Sequence, residues 1–276
     1  MDLSTVTEFL TVTDAAALRR AHDGDPATAV VAGGTWLFSV PQPHLRTLVD
    51  LTTLGWEPFT VSAAGIDLAA TCPVASLESV PFAADWQARP LVRQCVRALL
   101  ASFKVRSVAT VGGNVCAALP AGAVTSLAVA LDGVAELWDR DGGIRRLPVE
   151  EFVTGDRTTA LAPGEVLRTI HLPATALRGT TAFRRTSLAR LGRSATLVVG
   201  RRDPDGGFVL AVTASTPRPH VLRYREVPAP DRLVADVEER VAGRWFDDVH
   251  GAPDWRRATT LRFAAEVVGE LSGGPS

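Results

Sequence analysis

Short apolar runs that stop abruptly at glycine pairs constrain this chain more than any other feature. Ala29-Val30-Val31-Ala32 has the length and apolar character of a buried strand and leads directly into Gly33-Gly34-Thr35. Before it, Thr13 and Asp14 offer an N-cap, Ala15 to His22 supply helix formers and Gly24 supplies a stop. Together with a strand at Leu45 to Leu51, this opening reads as a β-α-β unit. A second block starts near Gly55, with a strand at Gly65 to Thr71, a short helix at Val74 to Ser79 and a firmer one at Pro90 to Ser102. Val105 to Asn114 then reads as an extended stretch carrying a second glycine pair, ahead of an apolar helix at Ala123 to Leu131. Val134 to Arg140 and Ile144 to Val149 flank Asp141-Gly142-Gly143 as a hairpin, and Val166 to Leu172 closes the block as a strand.

The last third changes character. Ala182 to Ser187, Ala195 to Arg202, Phe208 to Ser215 and Val221 to Val227 read as strands, followed by helices over Asp231 to Val241 and Asp254 to Leu271. Grouped strands followed by grouped helices suggest a separate α+β unit. The expected class is α/β, α+β overall, in three pieces: residues 1–54, 55–176 and 177–276. A chain of 276 residues, 46% of them hydrophobic, can bury a core in each.

Composition excludes several functions. A formal net charge of −1 provides no field to recruit nucleic acid or an anionic membrane. No apolar run approaches the ~20 residues a membrane span needs. Cys72, Cys95 and Cys116 are too scattered to ligate an iron–sulfur cluster or structural zinc alone. An odd count of cysteines without a secretion signal argues for reduced thiols and a cytoplasmic location. The five histidines, at 22, 44, 171, 220 and 250, show no metal-ligand spacing. Glu150-Glu151 point apart on any regular element, so they form a solvated face rather than an acid–base pair.

The glycine pairs divide by context. Gly142-Gly143 and Gly206-Gly207 follow aspartates between alternating strands and are explained by hairpin turns, and Gly273-Gly274 belongs to the tail. Gly33-Gly34 and Gly112-Gly113 instead lead towards apolar helical sequence, where bare backbone N–H groups can cradle phosphate oxygens. Thr35 and Thr110 add hydroxyls, and Asn114, the sole asparagine, adds an amide. Either loop alone reads as an ordinary strand-to-helix turn. Two of them in separate subdomains can grip the two halves of one pyrophosphate.

These segments resemble the FAD-binding medium subunits of carbon-monoxide-dehydrogenase and xanthine-dehydrogenase-type enzymes, the molybdenum hydroxylase family. Val30 to Thr35 resembles the family's first pyrophosphate loop, and Val105 to Asn114 closely matches its second. Asp67 to Thr71, Leu161 to Leu167 with Pro173, Ala182 to Ser187 and Asp254-Trp255-Arg256 are similar to further family stretches in the same order. The resemblance implies a two-subdomain FAD-binding module of the vanillyl-alcohol-oxidase/PCMH type with a C-terminal α+β subdomain. It implies that Ala32, Gly33, Gly34, Thr35 and Trp36, with Thr110, Val111, Gly112, Gly113 and Asn114, hold the FAD pyrophosphate and ribityl region. Leu161 would meet the flavin ring through its backbone, and Arg184 stands where relatives often carry a lysine near the flavin. The implied partners are a molybdopterin-binding large subunit and a 2Fe–2S small subunit on other chains. Electrons would pass from their clusters through FAD to an external acceptor, with no catalytic side chain required.

Three departures stand out. Where relatives read Pro-x-x-Asp, this chain has Pro120-Ala121-Gly122-Ala123, without the carboxylate. Trp36 replaces a small or polar loop residue and either stacks on the cofactor or obstructs it. Leu191-Gly192-Arg193-Ser194 differs from the family's arginine-plus-acid pattern. Two alternatives accompany the main reading: a stand-alone FAD-dependent oxidoreductase acting directly on a small molecule, and a scaffolding relative without cofactor.

Overall fold

The structure, a computed structural model, describes residues 3–273. Strand β1 (Glu8–Thr11), helix α1 (Ala15–Ala21) and strands β2 (Thr28–Val31) and β3 (Thr47–Asp50) form the first unit. β3 lies between β1 and β2 and pairs with both in parallel. The Asp14 carboxylate caps α1, accepting from the Ala17 N–H at 2.7 Å, and Gly24 takes up a positive φ of 100° beyond the helix. Val12, Leu18, Val49 and Leu51 form a small core that Val166 of the next unit completes. The loop 32–36 leaves from the carboxyl end of β2, where open parallel sheets present their ligand sites.

The second unit is built on an antiparallel sheet of β4 (Phe59–Ser62), β5 (Gly65–Ala69), β6 (Val134–Trp138), β7 (Ile144–Pro148) and a central strand from Val166 to Pro173. Helices α2 (Arg89–Ala98), α3 (Phe103–Val108), α4 (Val111–Cys116) and α5 (Ala123–Ala130) pack against it. A short helix α6 (Val149–Phe152) and the small pair β8 (Val153–Gly155) and β9 (Thr158–Thr159) precede the central strand, β10 (Val166–Pro173), and α7 (Ala174–Leu177) follows it. The hairpin between β6 and β7 is held by the Asp139 carboxylate, which accepts from the N–H groups of Asp141 and Gly143.

Two sequence expectations change here. The helix expected to reach Ser102 ends at Ala98, because the Ser102 hydroxyl accepts from the Val105 N–H at 3.3 Å and starts α3 instead. The stretch expected to be extended, 105–114, is two short helices broken at Ala109 and Thr110. Gly112 and Gly113 therefore lie inside a helix rather than in a loop before one.

In the C-terminal unit, β11 (Thr180–Thr186), β12 (Thr196–Arg202), β13 (Phe208–Thr213) and β14 (His220–Tyr224) form an antiparallel meander. Helices α8 (Pro230–Val241) and α9 (Pro253–Ser272) cover one face. Strand alternation sends Ala182, Val198, Leu210 and Val212 to those helices, while Leu197, Val199, Val209 and Ala211 join the core of the second unit. The sheet is thus buried on both faces, a three-layer arrangement the sequence did not disclose. All eight residues of the largely apolar α5 are buried, and its Ser126 hydroxyl is satisfied by the Gly122 carbonyl and the Thr213 hydroxyl. Buried Arg201 locks the junction: it donates to the Ala130 carbonyl at the end of α5 at 2.6 Å and pairs with Asp132 and Asp203. Among the described residues no helix is long and apolar enough to cross a membrane.

Candidate cofactor cleft

β2 delivers the first glycine loop to the boundary between the first two units. The Gly34 carbonyl accepts from the Phe38 N–H, and the Trp36 carbonyl accepts from the backbone and hydroxyl of Ser39. The five consecutive N–H groups from Ala32 to Trp36 donate to no described residue. Gly34 has φ of 63°, a conformation that lets successive N–H groups converge on a concave, anion-accepting surface. Gly33 is required for a different reason. A Cβ there would lie 1.9 Å from the Val108 carbonyl oxygen, so only glycine lets this loop rest on the α3–α4 turn. The contact joins the two units and sets the width of the cleft between them.

The second loop behaves differently from the sequence expectation. Thr110 caps α4 through its hydroxyl, which accepts from the Gly113 N–H at 3.0 Å. The Val111 N–H donates to the Cys72 carbonyl, Gly112 N–H to the Ala70 carbonyl, and Asn114 N–H to the Thr110 carbonyl. These amides are spent on the protein and are not open to a phosphate. Val111 and Gly112 are buried, and a Cβ on Gly112 would lie 2.5 Å from the Ala70 side chain. Both residues are structural: they seat α4 on the end of β5. The cleft instead meets the bare Cα of exposed Gly113, the Thr110 hydroxyl and the Asn114 side chain. The Asn114 Oδ1 accepts from the Val124 N–H at 2.9 Å, which leaves its amide group to offer a donor.

Between the loops lies a cleft of about 430 Å³. Of the predicted residues it brings together Ala32, Gly33, Gly34, Thr35, Trp36, Thr110, Gly113 and Asn114. Trp36 also lines a smaller cavity of about 230 Å³, so it stands as a partition between the two. Leu161 packs against the second core outside the cleft lining. Arg184 is a correction. Strand alternation on β11 turns it to the α9 face, where its guanidinium holds Glu266 at 2.8 Å and Glu270 at 2.7 Å. Ala123, where relatives were expected to carry an aspartate, is buried in α5. Cys116 borders the cleft, and burial pushes its thiol up to about 12, towards the neutral form.

Arg193 is the one charged side chain on the cleft wall among the described residues. It was not a predicted site residue; its signal in the sequence was the departure at residues 191–194. Among the described residues no His, Asp, Glu, Lys or Tyr lines the cleft, so none of them supplies a general base there. Among the described residues no three His, Cys, Asp or Glu side chains gather to hold a metal.

Residues 4–175 match the model of the FAD binding domain in molybdopterin dehydrogenase. A stretch of 75 residues is 37% identical to xanthine dehydrogenase of Oryza sativa subsp. japonica, and 31% identical to xanthine dehydrogenase 1 of Arabidopsis thaliana. That stretch is 27% of this chain and 6% of either relative, so their whole-protein activity does not transfer with it. The fold matches a chain of quinoline 2-oxidoreductase from Pseudomonas putida 86 with a TM-score of 0.80 and 19% identity, over 98% of both chains. It matches a chain of reconstituted CO dehydrogenase from Oligotropha carboxidovorans with a TM-score of 0.81 and 20% identity, again over 98% of both. The chain belongs to the family of FAD-binding domains of molybdopterin dehydrogenases.

Proposed function

We propose that this chain is the FAD-carrying electron-transfer subunit of a molybdenum-hydroxylase-type oxidoreductase. It relays electrons from iron–sulfur clusters on a 2Fe–2S small subunit to an external acceptor, and substrate is oxidised on a molybdopterin-binding large subunit. The observation that carries the reading is the run of five unpaired N–H groups from Ala32 to Trp36, opening into a cleft with no acidic wall. Such a surface suits the pyrophosphate of a dinucleotide.

FAD supplies the redox chemistry, exchanging electrons singly or in pairs. The protein's part is to bind and position. The amides of Ala32 to Trp36 hold one end of the dinucleotide, and the Thr110 hydroxyl and Asn114 amide supply donors from the opposite wall. Gly33 keeps the two walls at a fixed separation. Leu99, Val105 and Leu119 give the rest of the cleft an apolar lining. Direct oxidation of a small molecule by the isolated chain calls for a base that this wall does not provide.

The test is the visible absorption spectrum of the purified chain, followed by heat release and identification of any flavin. Flavin bands with about one FAD per chain, and no reduction by small substrates until partner subunits are added, support the reading. A colourless chain that fails to take up added FAD overturns it.

A further inference from the structure

The geometry points to Arg193, on the loop that joins β11 to β12 in the C-terminal unit, as the counter-charge that closes the cofactor cleft over the dinucleotide's pyrophosphate. This inference rests on the FAD reading and deepens it, because it makes the C-terminal unit part of the binding site.

Arg193 and Trp36 line both the cleft and the smaller cavity beside it. Arg193 thus borders the same part of the cleft wall as Trp36, the last residue of the run of unpaired amides. Arg184, Arg201, Arg223, Arg256 and Arg257 of this unit pair with carboxylates, and of the arginines that do not, Arg193 is the one that lines the cleft. Arg193 pairs with no acid among the described residues. Asp156 and Asp248 line the smaller cavity with it, but Asp248 is held by Arg256 and neither pairs with Arg193.

The loop is also fixed in place around it. Arg185 donates from Nε to the Ser194 hydroxyl at 2.6 Å and from its terminal nitrogen to the Gly192 carbonyl, so it grips the chain on either side of residue 193. The Ser187 hydroxyl and Gly192 N–H both donate to the Ala189 carbonyl. Arg185 has no acidic partner either, and burial holds its guanidinium below the usual range. With Arg193 unpaired on a pinned loop and no carboxylate among the described residues that line the cleft, its guanidinium offers a positive charge that an anion satisfies. A fork of N–H donors matches phosphate oxygens, which the acidic residue expected in this stretch would repel.

The experiment compares FAD and riboflavin binding by the full-length apoprotein and by Arg193→Ala, Arg193→Lys and Arg193→Glu. Thermal unfolding of each apoprotein confirms that it is folded. Arg193→Ala is expected to weaken FAD binding about 10- to 100-fold, as loss of a hydrogen-bonded charge does. Arg193→Lys should recover part of the loss and Arg193→Glu should deepen it. Riboflavin, which carries no phosphate, should bind the wild type and the Ala variant equally, and the salt dependence of FAD binding should shrink in the Ala variant. FAD affinity and salt dependence unchanged in Arg193→Ala would overturn the inference while leaving the FAD site intact. An equal loss for riboflavin would also overturn it, by placing the guanidinium on the ring. A wild type that takes up no FAD removes the reading beneath it, a separate result visible before any variant is made.

Discussion

Replacing Gly33 by alanine tests whether one close contact sets the geometry of the cleft. The added Cβ would stand 1.9 Å from the Val108 carbonyl oxygen, where contacts under 3.0 Å essentially do not occur. The obstacle is backbone, flanked by the Val108 carbonyl carbon at 2.7 Å and the Ala109 Cα at 3.2 Å, and cannot rotate away. The loop must retreat by about 1 Å, an overpacking cost of roughly 1–3 kcal/mol. The same retreat moves the amides of 32–36. A hydrogen bond of about 2.9 Å stretched by 1 Å is no longer one. Losing two charge-assisted bonds of about 1.5–3 kcal/mol each weakens FAD binding by about two to four orders of magnitude. The assay is titration of apoprotein with FAD by flavin fluorescence, alongside urea unfolding. Gly55→Ala serves as the control: Gly55 has φ of 62° but open space around it, so alanine should cost about 1 kcal/mol of stability and leave FAD affinity unchanged. Gly33→Ala binding FAD as tightly as wild type would refute the reasoning.

Thr110→Val removes the acceptor that caps α4 and should lower the unfolding free energy by about 1 kcal/mol in urea, with weaker FAD binding; unchanged stability would show that the cap contributes nothing. Arg184→Met should leave FAD affinity within about twofold of wild type and cost under about 1 kcal/mol, because its partners are half-exposed glutamates on α9. A large loss of FAD affinity would return Arg184 to the site. His220 is buried, and burial with Arg218, Arg240 and Arg244 nearby brings its pKa down to about 4. Its contribution to stability is therefore complete above about pH 6.5 and lost as pH falls towards 4, amounting to about 3 kcal/mol. His220→Leu should flatten the stability profile across that window, and an equally steep profile in the variant would assign the loss to other groups.

Much of the fold was legible because local rules agreed with the final packing. Asp14 caps α1 as its position before Ala15 suggests, the Asp139 hairpin forms at the expected glycines, and the largely apolar α5 is buried throughout. The departures from expectation have specific causes. The stretch 105–114 is rich in valine and carries a glycine pair near its end, both poor helix formers, yet the Ser102 and Thr110 hydroxyls cap two short helices there. Arg184 and Arg185 are neighbours in sequence, and nothing local says which faces α9. That choice follows from the register of β11 on β12.

By itself the sequence determined most of the element types and their order along the chain, the family, and the first glycine loop as a run of bare backbone amides. These depend on residues within a few positions of one another: a cap, a turn or a run of bare amides. The tertiary structure alone decided what those groups are spent on. The Val111 and Gly112 amides face carbonyls of Cys72 and Ala70, some forty residues away, so Gly112 serves packing while its neighbour Gly113 borders the cleft. Arg193 reaches the cleft only because the C-terminal sheet buries its second face against α5 and Arg185 pins the loop there. A hydrogen bond or a charge acts over a few ångströms of space, and only long-range packing determines which groups come that close.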